Sequence, residues 1–146
     1  MYTIPPKKMV IINILDILKK YTDMDHRLTQ AEIADILKKE YYMEVDRKTV
    51  KRNLLNLLDL NCGIDYTEVT RTDKQGNDTS ICTDWYITRE FDDSELRLLI
   101  DSVIFSKTIP RKQCHDLVKK IKSLSNIYFD KKVGNIYSLP ESRPEN

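Results

Sequence analysis

The sequence predicts a mainly α-helical fold with one small β-hairpin. Apolar residues recur at helical spacing over most of the 146 residues, and pairs of capping residues mark the starts of helices. One stretch, Ile64 to Ile87, instead alternates between residue types and has turn formers at its centre. In chain order these patterns predict a helix-turn-helix, a hairpin and two further helices.

Composition limits the classes of protein to which the chain can belong. Its hydrophobic content of 40% is enough for a buried core, and 24 basic residues nearly balance 23 acidic ones. This balance excludes proteins that coat nucleic acid through bulk charge, so any nucleic-acid binding must be local. The apolar run Met9–Leu18 is interrupted by Asn13 and Asp16, which makes it too short to span a membrane. We therefore expect a cytoplasmic protein without a membrane partner.

Residues for catalysis or metal binding are sparse. Cys62, Cys82 and Cys114 are odd in number and show no CxxC spacing, which favours reduced thiols over disulfides or a zinc site. The chain has three glycines and no phosphate-cradling loop, and no nucleophile stands in a recognisable motif with a histidine and an acid. We expect neither an enzyme nor a bound metal or cofactor.

The first helix is expected to begin near Lys7, because Pro5-Pro6 can precede a helix but cannot lie inside one. Its apolar residues cover a broad face up to Tyr21, as in the first helix of a small bundle. A second helix should begin at Thr29, which forms a capping box with Glu32.

A third helix, residues 46–60, follows a turn and is predicted to begin at the N-cap Asp46. Its apolar side consists of Val50, Leu54, Leu57 and Leu58. The opposite side carries Lys48, Thr49, Arg52 and Asn56, with Arg47 and Lys51 on its flanks. Four basic residues and one acidic residue between Asp46 and Asn53 give a local net charge of +3. Such a face suits contacts to phosphates and base edges, although a solvated helix face is the common alternative.

A β-hairpin should follow the stop signal Asn61-Cys62-Gly63. Its predicted strands are Ile64–Arg71 and Ser80–Ile87, joined by the loop Thr72–Thr79. A hairpin behind a helix-turn-helix is a wing. Near its tip Arg71 and Lys74 could contact a phosphate or a minor groove, although Asp73 and Asp78 oppose this. The triplet Trp85-Tyr86-Ile87 is expected to pack in the core.

Two further helices are predicted after the hairpin. Asp92 and Glu95 form a capping box, and the apolar stripe from Leu96 to Ile104 indicates a helix that ends near Lys107. Pro110 opens another helix, whose stripe is Leu117, Val118, Ile121 and Leu124. The predicted organisation is therefore a winged helix-turn-helix at residues 1–90, a helical-hairpin connector at 91–126 and a linker at 127–146.

Two segments carry a resemblance to a known family. The chain resembles the N-terminal part of bacterial transcriptional regulators of the WYL-domain class, in LTQAEIADILKKEYYMEVDRKTVKRNLLNLLDLNCGI and in WYITREFDDSELRLLIDSVIFSKTIPRKQCHDLVKKIKSLS. The second segment, similar to the helical connector of that class, is the more specific. The resemblance implies a winged helix-turn-helix, this connector and then an effector-sensing domain. We do not expect the residues of this sequence to form that last domain, because Trp85-Tyr86-Ile87 is not its signature.

These observations predict sequence-specific binding of double-stranded DNA, with the helix 46–60 in the major groove. The candidate DNA-binding residues are Thr29, Gln30, Arg47, Lys48, Thr49, Lys51, Arg52, Asn56, Arg71 and Lys74. We also expect a homodimer through the region after Asp92, and no small-molecule effector site. The alternative is a winged helix that serves as a protein-interaction module without DNA binding.

Overall fold

The computed structural model describes residues 6–133, which form a mixed α/β structure that is mostly helical. A short 3-10 helix, Lys7–Met9, leads into the first α-helix. The elements in order are α1 (Val10–Tyr21), α2 (Gln30–Tyr41), α3 (Arg47–Asp59), β1 (Ile64–Thr72), β2 (Asp78–Ile87), α4 (Asp93–Ile104), α5 (Arg111–Lys122) and α6 (Ile127–Val133). The chain divides into two compact units between Thr88 and Arg89, close to the predicted boundary after residue 90.

The core of the first unit lies between α1, α2 and α3, which all pack against one another. Each helix contributes fully buried aliphatic side chains, such as Ile14, Ile33 and Leu54. At the edge of the core, the Tyr41 hydroxyl donates a hydrogen bond to the carboxylate of Asp16 and so joins α2 to α1. The predicted starts of α2 at Thr29 and α3 at Asp46 are confirmed by their side-chain caps.

Strands β1 and β2 form an antiparallel pair in which Ile64 lies opposite Ile87. The register shifts at Tyr66, which faces both Asp84 and Trp85, so β2 contains a bulge there. Asp84 adopts the left-handed conformation with a φ of 56°. The bulge lets the backbone of Trp85 pair with Leu28, through N–H···O distances of 2.8 and 2.9 Å.

The aromatic triplet at the end of β2 is buried, as predicted. Trp85 is fully buried and stacks obliquely near Tyr66, with 5.0 Å between the ring centroids, while Tyr86 and Ile87 keep less than a tenth of their surface exposed. Both strands are longer than predicted, so the connecting loop is residues 73–77 rather than Thr72–Thr79. Three helices followed by this hairpin are compatible with a winged helix.

The second unit has its own core, in which α4 packs against α5. The capping box of Asp92 and Glu95 is present as predicted, and α4 ends at Ile104, before the expected Lys107. In α5 the fully buried residue is Cys114, whereas Leu124 is 51% exposed, so the predicted stripe is only partly correct. The cysteine lies one turn ahead of Val118 and faces the same core.

The predicted linker at residues 127–146 is wrong at its beginning. Residues 127–133 form α6, whose Phe129 and Val133 are fully buried in the second core. Asn126 precedes this helix, and its side-chain oxygen accepts a hydrogen bond of 3.0 Å from the Phe129 N–H. The second unit therefore has at least three helices rather than a helical hairpin. The remainder of the predicted linker lies outside the described residues.

Among the helices at residues 6–133, none has the length and apolar content needed to cross a membrane.

Candidate nucleic-acid interface

Helix α3 is fixed in its rotation by its cap and its buried side. The Asp46 carboxylate accepts a hydrogen bond of 2.8 Å from the Thr49 N–H at the first turn. On the inner side Val50 and Leu54 are fully buried and Leu57 is 3% exposed. Because this apolar side is held in the core, the residues opposite it must face solvent.

The outward side of α3 carries cations. Arg47, Lys48, Lys51 and Arg52 are all exposed, and none of them forms an ion pair within 4.0 Å with any described residue. Asn56 is exposed on the same helix. A polyanion could bind these side chains without first breaking an internal salt bridge. The predicted cationic face is thus present on the surface.

The pKa of Asp46 lies below the usual value for a carboxyl group. The main causes are hydrogen bonds from the Thr49 side chain and from its backbone N–H, with smaller contributions from the charges of Arg52 and Lys48. Asp46 therefore stays ionised as a cap at the positive end of α3.

Two residues on this face were not among the predicted contacts. Leu55 is 39% exposed and lies three positions after Arg52, so it adds an apolar side chain to the cationic surface. Asp59 is exposed two turns after Arg52 and brings a negative charge to the C-terminal end. The helical spacing that places the basic residues on the outward side of α3 places Leu55 and Asp59 there as well. The cations are therefore concentrated in the first two turns of α3.

Three predicted contact residues have polar atoms that already serve the fold. The Thr29 hydroxyl accepts from the Glu32 N–H in the capping box, at 3.2 Å. The Gln30 amide nitrogen donates to the backbone carbonyl of Cys82 over 2.9 Å. Thr49 is half-buried and bonded to Asp46. These side chains hold the helices in place, in contrast to the four cations of α3.

The tip of the hairpin exposes Arg71 on β1 and Lys74 in the loop. The neighbouring acids are engaged in the turn itself. Asp73 accepts hydrogen bonds from the backbone N–H groups of Gln75 (2.9 Å) and Asn77 (2.8 Å), and Asp78 accepts one from the Thr72 hydroxyl (2.8 Å). These carboxylates nevertheless balance the two cations in charge, so the tip is close to neutral.

An open groove of about 580 Å³ lies between α2 and the start of α3. Its lining includes the carboxylates of Asp35, Glu44 and Asp46, together with Lys38 and Arg47. Lys38 is 3.7 Å from Glu44 and Lys39 is 3.0 Å from Asp35, so two of the three carboxylates are paired with lysines. The groove is therefore close to neutral, in contrast to the side of α3 that carries Lys48 and Arg52.

Within residues 6–133, no three histidine, cysteine, aspartate or glutamate side chains converge as metal ligands would. Cys62, Cys82 and Cys114 are free thiols, and Cys114 is buried.

Comparisons of the chain with known protein families, curated proteins and solved structures found no match.

Proposed function

We propose that this protein binds double-stranded DNA with sequence selectivity as a transcriptional regulator, with α3 in the major groove. One observation carries the proposal. Four exposed cations, none with an ion-pair partner among residues 6–133, occupy the solvent side and flanks of a helix whose other side is buried in the core. A rigid helix with an outward cationic side is the element that a major groove admits.

The residues of α3 divide into two roles. Arg52 and Lys48 lie opposite the buried stripe and are suited to the acceptor atoms of guanine, while Asn56 is suited to adenine. Leu55 adds an apolar contact for a thymine methyl group. The flanking residues Arg47 and Lys51 position the helix on phosphates, whereas the predicted phosphate contact Thr49 is already bonded to Asp46.

The hairpin β1–β2 is the wing of a winged helix in this proposal. The hairpin follows α3 directly along the chain. Leu28 pairs with Trp85 of β2 through an isolated β-bridge. Arg71 and Lys74 at its exposed tip would contact the DNA backbone. The resemblance to WYL-domain regulators supports the same assignment, as does the order of elements. A homodimer would present two α3 helices to two half-sites.

The competing function is a protein-interaction module. The formal net charge of +1 favours it, since it gives little overall attraction to a polyanion, and the groove beside α3 offers a site for a partner segment. Such a module would use the same fold without DNA.

Titration of a random duplex at low salt separates the two functions. The full chain should bind, and the double variant Lys48→Gln/Arg52→Gln should bind much more weakly. A matched control, Lys119→Gln/Lys120→Gln, removes the same charge from exposed positions of α5 and should bind nearly as well as the natural chain. Absence of binding by the natural chain would favour the interaction module. Equal losses for both double variants would mean that α3 is not the DNA-binding helix.

A further inference from the structure

The apolar stripes of α4 and α5, which we considered for self-association, are mostly buried inside the second unit. Leu96 and Ile100 are fully buried and Ile104 is 4% exposed, so this side of α4 faces its own core. The α5 stripe behaves similarly, since Val118 and Ile121 pack on that core. Any surface for a partner must lie elsewhere on the unit.

The opposite side of α4 exposes large apolar side chains to solvent. Leu98 is 67% exposed and Phe105, two turns later, is 73% exposed. Between them the Ser102 hydroxyl donates to the Leu98 carbonyl over 2.8 Å, so it adds no unsatisfied donor to this side. Phe91, just before the N-cap, is 37% exposed. We call this surface, from Phe91 to Phe105, the outer face of α4.

The outer face has a symmetric sequence about Leu98. Ser94 lies four residues before Leu98 and Ser102 four residues after it, and Phe91 and Phe105 lie seven residues before and after. In an antiparallel helix pair with a two-fold axis at Leu98, residues near the centre line of the outer face lie close to those at the mirrored positions of the other copy, whereas residues at its edges do not. Leucine then meets leucine and serine lies close to serine, and Phe105 of one copy lies near the end of the other helix that Phe91 precedes. Such a surface is complementary to itself, as an isologous interface requires.

We propose that α4 pairs antiparallel with α4 of a second copy of this chain through the outer face, about a two-fold axis at Leu98. This deepens the homodimer of the proposed function and rests on it for its role on DNA.

Charges at the edge of the outer face fit this pairing. On a helix of 3.6 residues per turn, Arg97 and Asp101 lie on the same side of Leu98. A two-fold axis across an antiparallel pair keeps equivalent edges together. It brings Arg97 of one copy within about 3 Å, measured along the helix axis, of Asp101 of the other. Arg97 is exposed and Asp101 is half-buried, and neither forms an ion pair with another described residue. The dimer would therefore gain two symmetric ion pairs.

Like charges are kept apart in the same arrangement. Glu95 lies on the other side of Leu98 from Asp101, so in the pair it faces Leu99 and Ser102 of the second copy rather than the acid. Leu99 is 38% exposed and would be covered. A parallel pairing would instead bring Arg97 near Glu95 of the second copy and leave Asp101 without a basic partner. The charge pattern is thus complementary in the antiparallel arrangement, and the exchange of Arg97 and Asp101 distinguishes that arrangement from the parallel one.

One helix pair buries less surface than a standard protein interface, so the dimer should form in the micromolar range. Sedimentation of the full chain without DNA, from low to high micromolar concentration, should show a monomer–dimer equilibrium. Leu98→Asp places two carboxylates at the two-fold axis and should raise the dimer Kd by more than about tenfold. The control Leu124→Asp changes a leucine of comparable exposure, 51%, outside α4 and should leave the Kd unchanged.

A charge exchange tests the arrangement itself. Arg97→Glu should weaken the dimer, and the double variant Arg97→Glu/Asp101→Arg should restore it, because each acid again meets a base across the axis. A fully monomeric natural chain would overturn the proposal. A double variant that dimerises no more tightly than Arg97→Glu would overturn it as well. A lower melting temperature for Leu98→Asp, with no change in sedimentation, would show that the chain itself covers the outer face. DNA titration of the same samples separates the dimer proposal from the proposed function. A dimer that does not bind DNA would refute only the proposed function.

Discussion

The side-chain amide of Gln30 donates a hydrogen bond to the backbone carbonyl of Cys82 over 2.9 Å and fastens the first turn of α2 to β2. Close by in sequence, Leu28 and Trp85 exchange two backbone hydrogen bonds. The start of α2 and the hairpin are therefore held together by three hydrogen bonds. A change in the hairpin should be transmitted to α2, and through α2 to α3.

Gln30→Ala should lower the stability of the first unit by about 0.5–1.5 kcal/mol, because the Cys82 carbonyl loses its donor. Gln30→Glu should cost a similar amount, since a carboxylate cannot donate this bond. Denaturant unfolding measures both. If Gln30 acted instead as a direct DNA contact, the alanine variant would weaken DNA binding without any loss of stability.

Arg52 and Lys51 should differ in how they affect DNA binding. Arg52→Ala should cost about 1–3 kcal/mol on the preferred site and relax selectivity, because Arg52 is exposed opposite the core and is the proposed base contact. Lys51→Ala should weaken all sequences alike and flatten the salt dependence, as expected for a phosphate contact. Titrations of specific and random duplexes at several salt concentrations measure these effects. Equal losses on both duplexes for both variants would contradict the division of roles.

Leu54 and Leu55 are neighbours with opposite environments. Leu54 is fully buried, so Leu54→Ala should destabilise the first unit by about 2–5 kcal/mol and lose DNA binding through unfolding. Leu55 is 39% exposed, so Leu55→Ala should change stability by less than about 0.5 kcal/mol and act only on selectivity for thymine. Thermal melting and DNA titration of the pair separate the two effects. An unchanged midpoint for Leu54→Ala would mean that α3 is rotated from the orientation described.

The helix starts were predictable because capping depends on residues only three positions apart. Thr29 with Glu32 and Asp92 with Glu95 form their boxes as the sequence indicated. The start of α6 depends on the same chemistry, since Asn126 caps it, but a seven-residue helix has too few turns for its apolar period to be recognised.

The candidate site was predictable only in part. The outward side of α3 follows from helical spacing, and Lys48 and Arg52 are exposed on it with Arg47 and Lys51 at its flanks. The engagement of Gln30 does not follow, because its acceptor, the Cys82 carbonyl, is 52 residues away in the chain. Contacts of this kind depend on the packing of β2 against α2, which local sequence patterns do not specify. Leu55 was overlooked for a different reason, since an apolar residue near a core stripe is usually assigned to that core.

The cap at Asp46 should make the stability of α3 depend on pH. Hydrogen bonds from Thr49 lower the pKa of this carboxyl in the folded state, so its stabilisation is complete above the unfolded pKa and is lost as the pH falls through the lower folded pKa. Asp46→Asn keeps a capping side chain that does not titrate. As the pH falls below about 4, the melting temperature of the natural chain should therefore decrease more than that of the variant. Parallel melting curves for the two proteins would contradict this role of the cap.

The left-handed residue Asp84 should set the conformation of the β2 bulge. At a φ of 56°, glycine is accommodated without strain and aspartate at small cost, whereas a β-branched side chain is strongly disfavoured. Asp84→Gly should stay within about 0.5 kcal/mol of the natural stability, whereas Asp84→Val should lose about 1–3 kcal/mol. Thr70→Val, at an exposed position of β1 opposite Ser80, is the control for introducing valine into the hairpin and should cost little.

The bulge also determines where Trp85 points, so the valine variant should affect more than stability. Loss of the bulge would move Trp85 out of register with Leu28 and expose a side chain that is now fully buried. Tryptophan fluorescence reports this change directly, because Trp85 is the single tryptophan of the chain. Asp84→Val should shift the emission to longer wavelength under native conditions, while Asp84→Gly and Thr70→Val should not. Equal stability and equal emission for all three variants would show that the left-handed conformation does not hold the bulge.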